Sequence, residues 1–209
     1  MKVLIITSTA NPSGLTAACG EAARQGVVDS GSRARVVNLN EQSIARCAVC
    51  AGGWGTCLGK HVCQVKDDFQ ALHATVGEAE GYVFLTPVYF GEPSEPAKAF
   101  LDRLRRCEAT WDTSAGEKSL LSGKPAVCVA AAGGSGHGAI SCLASMERTL
   151  HRLGVDVLDL IPVTKRTREY QIETIHDALV ALARAQEKSP RSQPVQPRER
   201  RPHRRRRRS

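Results

Sequence analysis

No apolar run in this 209-residue chain approaches the roughly 20 residues that a membrane helix needs, and stretches such as 126–132 are only strand-sized. The opening run, 1–6, is too short for a signal peptide, and no small-residue cleavage site follows it. A cytoplasmic location without membrane contact is the expectation. Thiols stay reduced there, so clustered cysteines point to metal or redox chemistry. A disulfide scaffold is not needed either, because a chain of this length with 42% apolar residues buries a core unaided. Internal repeats are absent. So are a Gly-Lys-Ser/Thr phosphate loop, a Gly-x-Gly-x-x-Gly fingerprint and a convincing nucleophile–base–acid triad.

The body of the chain also lacks net charge. Residues 187–209 carry ten Lys or Arg against two Glu, which accounts for the whole +8 and leaves 1–186 neutral. That segment holds four of the ten prolines and one strongly apolar residue, Val195. It cannot bury enough surface to offset its ordering entropy, so disorder is expected from 187 onward, beside one folded domain over 1–186. An arginine-rich tail suits a polyanion such as nucleic acid, yet it contains no aromatic residue on which a base could stack.

What is present is alternation. Strands are predicted at 2–7 (KVLIIT), 34–39 (ARVVNL), 81–89 (GYVFLTPVY), 125–132 (PAVCVAAA) and 155–163 (VDVLDLIPV). Such apolar runs fit strands covered on both faces. Helices are predicted at about 15–25, after a cap at Asp67, and over 93–107, 139–153 and 168–186. Three inward faces follow spacings of three and four: Phe69, Leu72, Val76 and Ala79; Ala97, Phe100, Leu101 and Leu104; Ile140, Leu143, Met146, Leu150 and Leu153. The pattern predicts an α/β, doubly wound, five-stranded parallel sheet, whose ligands bind beyond the carboxyl ends of the strands.

Three of those ends carry unusual chemistry. The first, 8–16, sets Ser8, Thr9, Ser13 and Thr16 with Asn11 and Gly14 before a helix start, which is either a lysine-free phosphate cradle or an ordinary capped turn. The second, Thr86-Pro87-Val88-Tyr89-Phe90-Gly91, offers backbone groups to the edge of a planar ring, unless its aromatics plug the end of the core. The third places Gly133, Gly134, Gly136 and Gly138 within six residues, which allows close backbone approach or simple flexibility.

On the run Thr86-Pro87-Val88-Tyr89, Ser94 and Lys98-Ala99-Phe100-Leu101-Asp102-Arg103, together with Ser8 and Gly14-Leu15-Thr16, the chain resembles a known family. It is similar to the NADPH-dependent FMN reductases and their iron–sulfur flavoprotein branch. The resemblance implies a flavodoxin-like sheet of order 2-1-3-4-5 and non-covalent FMN. By position, Ser8, Thr9, Ser13, Gly14, Leu15 and Thr16 would hold the phosphate. Pro87, Val88, Tyr89, Phe90 and Gly91 would line the isoalloxazine, with Gly133, Gly134 and Gly136 on its other side. No catalytic side chain is demanded, since the flavin carries the chemistry. NAD(P)H as donor, a small-molecule electron acceptor and a homo-oligomer, dimer or tetramer, are also implied. Ala10 stands near the place of an arginine common in the family's phosphate loop.

Cys47, Cys50, Cys57 and Cys63 fall within 17 residues, at spacings x2, x6 and x5. Loop cysteines can converge on one iron–sulfur cluster, a 4Fe–4S cubane here. The branch's tighter Cys-x2-Cys-x2-Cys is interrupted by Gly53, so Cys57 would substitute. Zinc and four free reduced thiols are the other readings. Cys19, Cys107, Cys128 and Cys142 lie in predicted helices or a strand and read as small core residues. The leading expectation is an FMN-dependent oxidoreductase passing electrons from NAD(P)H to a small acceptor. The alternatives are an iron–sulfur flavoprotein electron carrier and a non-enzymatic polyanion-binding protein acting through the tail.

Overall fold

A computed structural model describes residues 1–111 and 116–188. In chain order it contains β1 (Lys2–Thr7), α1 (Leu15–Asp29), β2 (Arg33–Asn38), the single turn α2 (Thr56–Gly59), α3 (Phe69–Glu78), β3 (Gly81–Tyr89) and β4 (Glu92–Pro93). α4 (Glu95–Glu108), β5 (Pro125–Ala132), α5 (Ala139–Arg152), β6 (Asp156–Thr164) and α6 (Arg168–Lys188) follow. Five parallel strands lie in the order β2-β1-β3-β5-β6, the flavodoxin-like order expected. The two-residue β4 is an addition that pairs antiparallel with the end of β3.

Side chains alternate across each strand, so one strand feeds two cores. Leu4 and Ile6 of β1 pack with Phe69, Phe100 and Leu143, while Val3 and Ile5 pack with Val27, Ile175 and Leu179 on the opposite face. The interior strand β5 is buried at every position, whereas the edge strands β2 and β6 are partly exposed. The inward faces expected of α3 and α4 are buried as the spacing predicts. Ile140 is the correction. It is 69% exposed, because Ala139 takes the inward position and starts the stripe Ala139, Leu143, Met146, Leu150. A residue one step later is rotated about 100° away from that face.

Smaller differences lie at element ends. α1 runs on to Asp29, and β2 and β6 are each offset by one residue. Asp67 accepts a hydrogen bond from Phe69 N at 3.1 Å, but Asp68 holds the cap position of α3 without a side-chain cap bond. Cys19, Cys107, Cys128 and Cys142 are buried as expected. Burial pushes the first, second and fourth up to about 12 and raises Cys128 as well, so none presents a thiolate. α6 continues two residues into the basic segment, and the rest of the expected tail lies outside the described residues.

Candidate functional site

Parallel register brings the strand ends to one edge: Thr7 pairs with Asn38 and with Leu85, Pro87 with Ala131, and Ala132 with Thr164. The loops leaving that edge are joined to one another. Ser8, Thr86 and Ser94 are each 1% exposed and close a ring of hydroxyls. Ser8 Oγ donates to Thr86 Oγ1 at 3.1 Å and Ser94 Oγ to Ser8 Oγ at 2.8 Å, while the single Thr86 hydroxyl proton is shared between Ser94 Oγ at 3.3 Å and Pro87 O at 2.9 Å. Ser94 N also donates to Thr86 Oγ1 at 3.0 Å. A hydroxyl both donates and accepts, so three can satisfy one another without water. Ser8 therefore sits behind the first loop and ties it to the second.

Asn11 organises the rest of that first loop. Its Oδ1 accepts from Ser13 N and Ser13 Oγ, both at 3.0 Å, and its carbonyl accepts from Gly14 N at 3.1 Å and Thr9 Oγ1 at 2.9 Å. The turn delivers Gly14 to the cap position of α1, where no side chain caps the helix and no acidic residue stands in the first turn. Uncapped N–H groups at a helix start carry partial positive charge and suit a phosphate. Leu15 and Thr16 are the first two residues of that turn.

The second loop is a two-residue hairpin. Tyr89 pairs with Glu92, and the intervening Phe90 and Gly91 have φ of 52° and 82°, the left-handed pair of a type I′ turn. Phe90 is fully exposed and Tyr89 is half exposed, so neither plugs the core. The hairpin meets the third loop at two glycines. A Cβ on Gly138 would lie 2.7 Å from Gly91 Cα and 3.0 Å from Gly91 N, and Ser141 Oγ donates to Gly91 O at 3.0 Å. Gly133 and Gly134 border open space, while Gly136 packs on Thr164. Thr9, Ser13, Gly14, Leu15 and Thr16 thus lie at one end of the edge and Gly133, Gly134 and Gly136 at the other. Pro87, Val88, Tyr89, Phe90 and Gly91 stand between them.

Cys47, Cys50, Cys57 and Cys63 are half-buried and line one pocket with Arg103 and Arg106. Among the described residues no group of three or more His, Cys, Asp or Glu is arranged to hold a metal ion. A zinc site would draw its sulfurs to about 2.3 Å from one centre, and the four thiols are not gathered in that way. Four thiols and two guanidiniums around one pocket supply the ligand type and the charge that an anionic iron–sulfur cluster would call for. Arg103 Nε is buried without a hydrogen-bond partner. The surrounding backbone is strained, with φ of 48° at Val49 and Ala51 and 54° at His61.

Two carboxylates brace the region, Asp67 half-buried and Glu108 buried. Burial alone would raise the pKa of Asp67, but hydrogen bonds from Arg103, Ala45 N and Phe69 N outweigh it and hold the group below its ordinary value. Glu108 accepts from His73 Nε2 at 2.6 Å, Leu120 N at 2.7 Å, Ser119 Oγ at 2.9 Å and Trp111 Nε1 at 3.2 Å. Burial opposes its ionisation too, and these partners again win. Trp111 in turn stacks on His61 at 3.6 Å, against the cysteine loop.

A doubly wound parallel sheet, with an uncapped helix start and two glycine-bearing turns joined at its carboxyl edge, defines a flavodoxin-like class. The chain belongs to the NADPH-dependent FMN reductase family, whose model matches residues 1–160. Its cofactor is FMN, and the uncapped helix start, the exposed hairpin and the open glycines fit a phosphate and a planar ring. Among curated relatives, an iron–sulfur flavoprotein of Archaeoglobus fulgidus is 31% identical over 84 residues, 40% of this chain and 36% of that protein. An iron–sulfur flavoprotein of Methanocaldococcus jannaschii is 28% identical over 105 residues, 50% of this chain and 52% of the relative. The chain thus spans about half the length of these relatives or less. Among solved structures, RosB with bound 8-demethyl-8-formylriboflavin-5′-phosphate is 19% identical with a TM-score of 0.65, covering 100% of this chain and 95% of that one. The NAD(P)H:quinone oxidoreductase of Methanothermobacter marburgensis is 20% identical with a TM-score of 0.63, covering 87% and 96%. These likenesses show the fold.

The hydroxyl ring, the organising role of Asn11 in the first loop and the place of Arg103 in the cysteine pocket were not legible in the sequence. The available signal for Arg103 was a charge three residues after Phe100 on an otherwise apolar helix face.

Proposed function

We propose that the chain is an FMN-dependent oxidoreductase that takes electrons from NAD(P)H and passes them to a small acceptor. The observation that carries this reading is the joining of three loops at one sheet edge by the Ser8–Thr86–Ser94 ring and the Gly91–Gly138 contact. FMN supplies hydride and electron chemistry when bound. The chain's own part is to bind and orient it. In this reading Ser13, Thr16 and the first N–H groups of α1 take the phosphate, with Thr9, Gly14 and Leu15 shaping that turn and Ser8 anchoring it. Pro87 to Gly91 present backbone to one edge of the ring, and Gly133, Gly134 and Gly136 leave room on the other side. The double variant Ser13→Ala/Thr16→Ala tests this. Each lost hydrogen bond to a charged group is worth about 1.5–3 kcal/mol, so FMN affinity should fall at least about tenfold. Unchanged affinity in a fluorescence titration would place the phosphate elsewhere.

A second reading, that electrons also pass through an iron–sulfur cluster on Cys47, Cys50, Cys57 and Cys63, is favoured by the single pocket these thiols share. Iron and sulfide per chain in anaerobically prepared protein test it, and flavin without iron would refute it. Eight free cysteines support a reducing compartment, the cytoplasm. Exposed Tyr89, Phe90 and Ile140 near the flavin edge support a homodimer that covers them.

A further inference from the structure

We propose that Arg103 is the positioning residue of the cysteine loop, holding Cys63 as a cluster ligand and setting the charge that the cluster meets. This rests on the cluster reading above. Arg103 projects from α4 into the core and is 1% exposed, the largest fully buried side chain among the described residues. Its guanidinium grips both ends of the cysteine segment. Nη1 donates to Ala45 O at 3.1 Å and Asp67 Oδ2 at 2.5 Å, and Nη2 donates to Val65 O at 3.1 Å and Cys63 Sγ at 3.3 Å. The Phe69 ring lies beneath it, 4.3 Å from the guanidinium carbon.

A staple needs less than this. The Ala45, Val65 and Asp67 contacts already close the loop, so a purely structural arginine has no use for a sulfur partner. Nor would it leave a fifth donor, Nε, buried and unpartnered. The pocket's lining has a matching bias. It contains four cysteines, Arg103 and Arg106, and no carboxylate. Arg106 donates to Gly53 O at 2.8 Å and stacks over Trp54 at 4.3 Å, which fixes a second cation beside the thiols. A cluster held by four thiolates is anionic. An N–H···S hydrogen bond from a cation draws charge from the ligand sulfur and favours the reduced form, so it raises the reduction potential. Asp67 balances Arg103 on its other side and sets how much of that charge remains.

The test uses the full chain prepared anaerobically, as wild type and as Arg103→Lys, which keeps the charge but cannot reach both loop ends at once. Iron and sulfide per chain, the rate of iron loss to a chelator and the cluster midpoint potential are measured, with flavin content as the check on folding. Arg103→Lys should keep FMN, lose iron to the chelator about tenfold faster and titrate at a lower potential. Wild-type retention and potential in a variant that still holds FMN would overturn the inference and leave the cluster reading intact. Wild-type protein with FMN but no iron or sulfide would overturn both. If Arg103→Lys does not fold, Asp67→Asn is measured instead. It leaves the sulfur contact and removes the counter-charge, so the potential should rise, and an unchanged potential would overturn the proposal.

Discussion

Gly138→Ala probes the junction on which the functional reading rests. Gly138 has a φ of 82°, and an added Cβ would fall 2.7 Å from Gly91 Cα and 3.0 Å from Gly91 N. Two costs follow. An alanine in left-handed backbone costs about 1–2 kcal/mol. The contact with Gly91 is to backbone, which cannot rotate aside as a side chain can, and forced overpacking of this kind costs typically 1–3 kcal/mol. If both loops stay in place, the variant loses about 2–5 kcal/mol of stability. If the hairpin yields instead, Pro87 to Gly91 move away from the third loop and the cost appears as weaker FMN binding.

Gly31→Ala separates the two costs. Gly31 has a φ of 78° but no atom within 4 Å of its Cβ position, so it bears only the backbone cost, about 1–2 kcal/mol. Urea unfolding of apoprotein and of protein with saturating FMN measures both variants. Bound ligand stabilises by mass action, so the gain on adding FMN reports affinity directly. Gly31→Ala should shift the apo curve and leave the FMN gain unchanged. Gly138→Ala should shift the apo curve further, lose part of the FMN gain, or both. If the two variants behave alike, the second and third loops do not meet at these glycines, and the proposed flavin edge is refuted.

Further outcomes are expected elsewhere. Ser8→Ala breaks the buried hydroxyl ring and leaves Ser94 Oγ without its acceptor, so chemical denaturation should show a loss of about 1–3 kcal/mol. Glu108→Gln weakens bonds from four partners and should cost about 1.5–3 kcal/mol at neutral pH. Because the folded-state pKa of Glu108 is depressed, its contribution is present above the unfolded value of about 4.3 and is lost as pH falls through the folded value. The gap between wild type and variant should therefore narrow in acid, which unfolding curves across that range would check. Cutting the chain after Lys188 should leave FMN content and turnover unchanged. Any polyanion binding by the removed segment should vanish with it and should weaken steeply with salt in the full chain.

The sheet was legible because apolar runs are a property of neighbours in sequence. Every parallel strand was found within one residue of its place, and the order followed from alternation and handedness rather than from any single residue. Features that depend on partners far away were not legible. Ser8 and Ser94 are 86 residues apart, and only the register of β1 against β3 brings them to hydrogen-bonding distance. Phe90 could be read as a plug or as a surface ring, and the choice was made by the I′ turn that β4 imposes. No pattern predicted a two-residue strand containing Pro93. Ile140 misled because spacing gives a helical face only up to the choice of its first member, and Ala139 is the smaller, less conspicuous alternative.

The cysteine loop is the clearest case of a site whose meaning lies outside its own sequence. Spacing alone left a cluster, zinc and free thiols open, because four thiols in a loop can adopt many mutual distances. The structure adds a partner on another element. Arg103 is buried on α4, 40 positions from Cys63, yet it holds the sulfur, both ends of the loop and the carboxylate that closes it. A buried guanidinium is costly unless its donors are used, and here four donors are used while the fifth, Nε, is buried without a partner. Conflict between a local rule, apolar helix faces stay apolar, and the observed residue marks sites that carry function or strain. The helix whose cap residue, Ser94, joins the proposed flavin edge also carries Arg103 to the cysteine pocket, about two and a half turns further along. One rigid helix therefore links the two places where electrons would reside, so a change in either is expected to be felt through α4 rather than through the intervening loops.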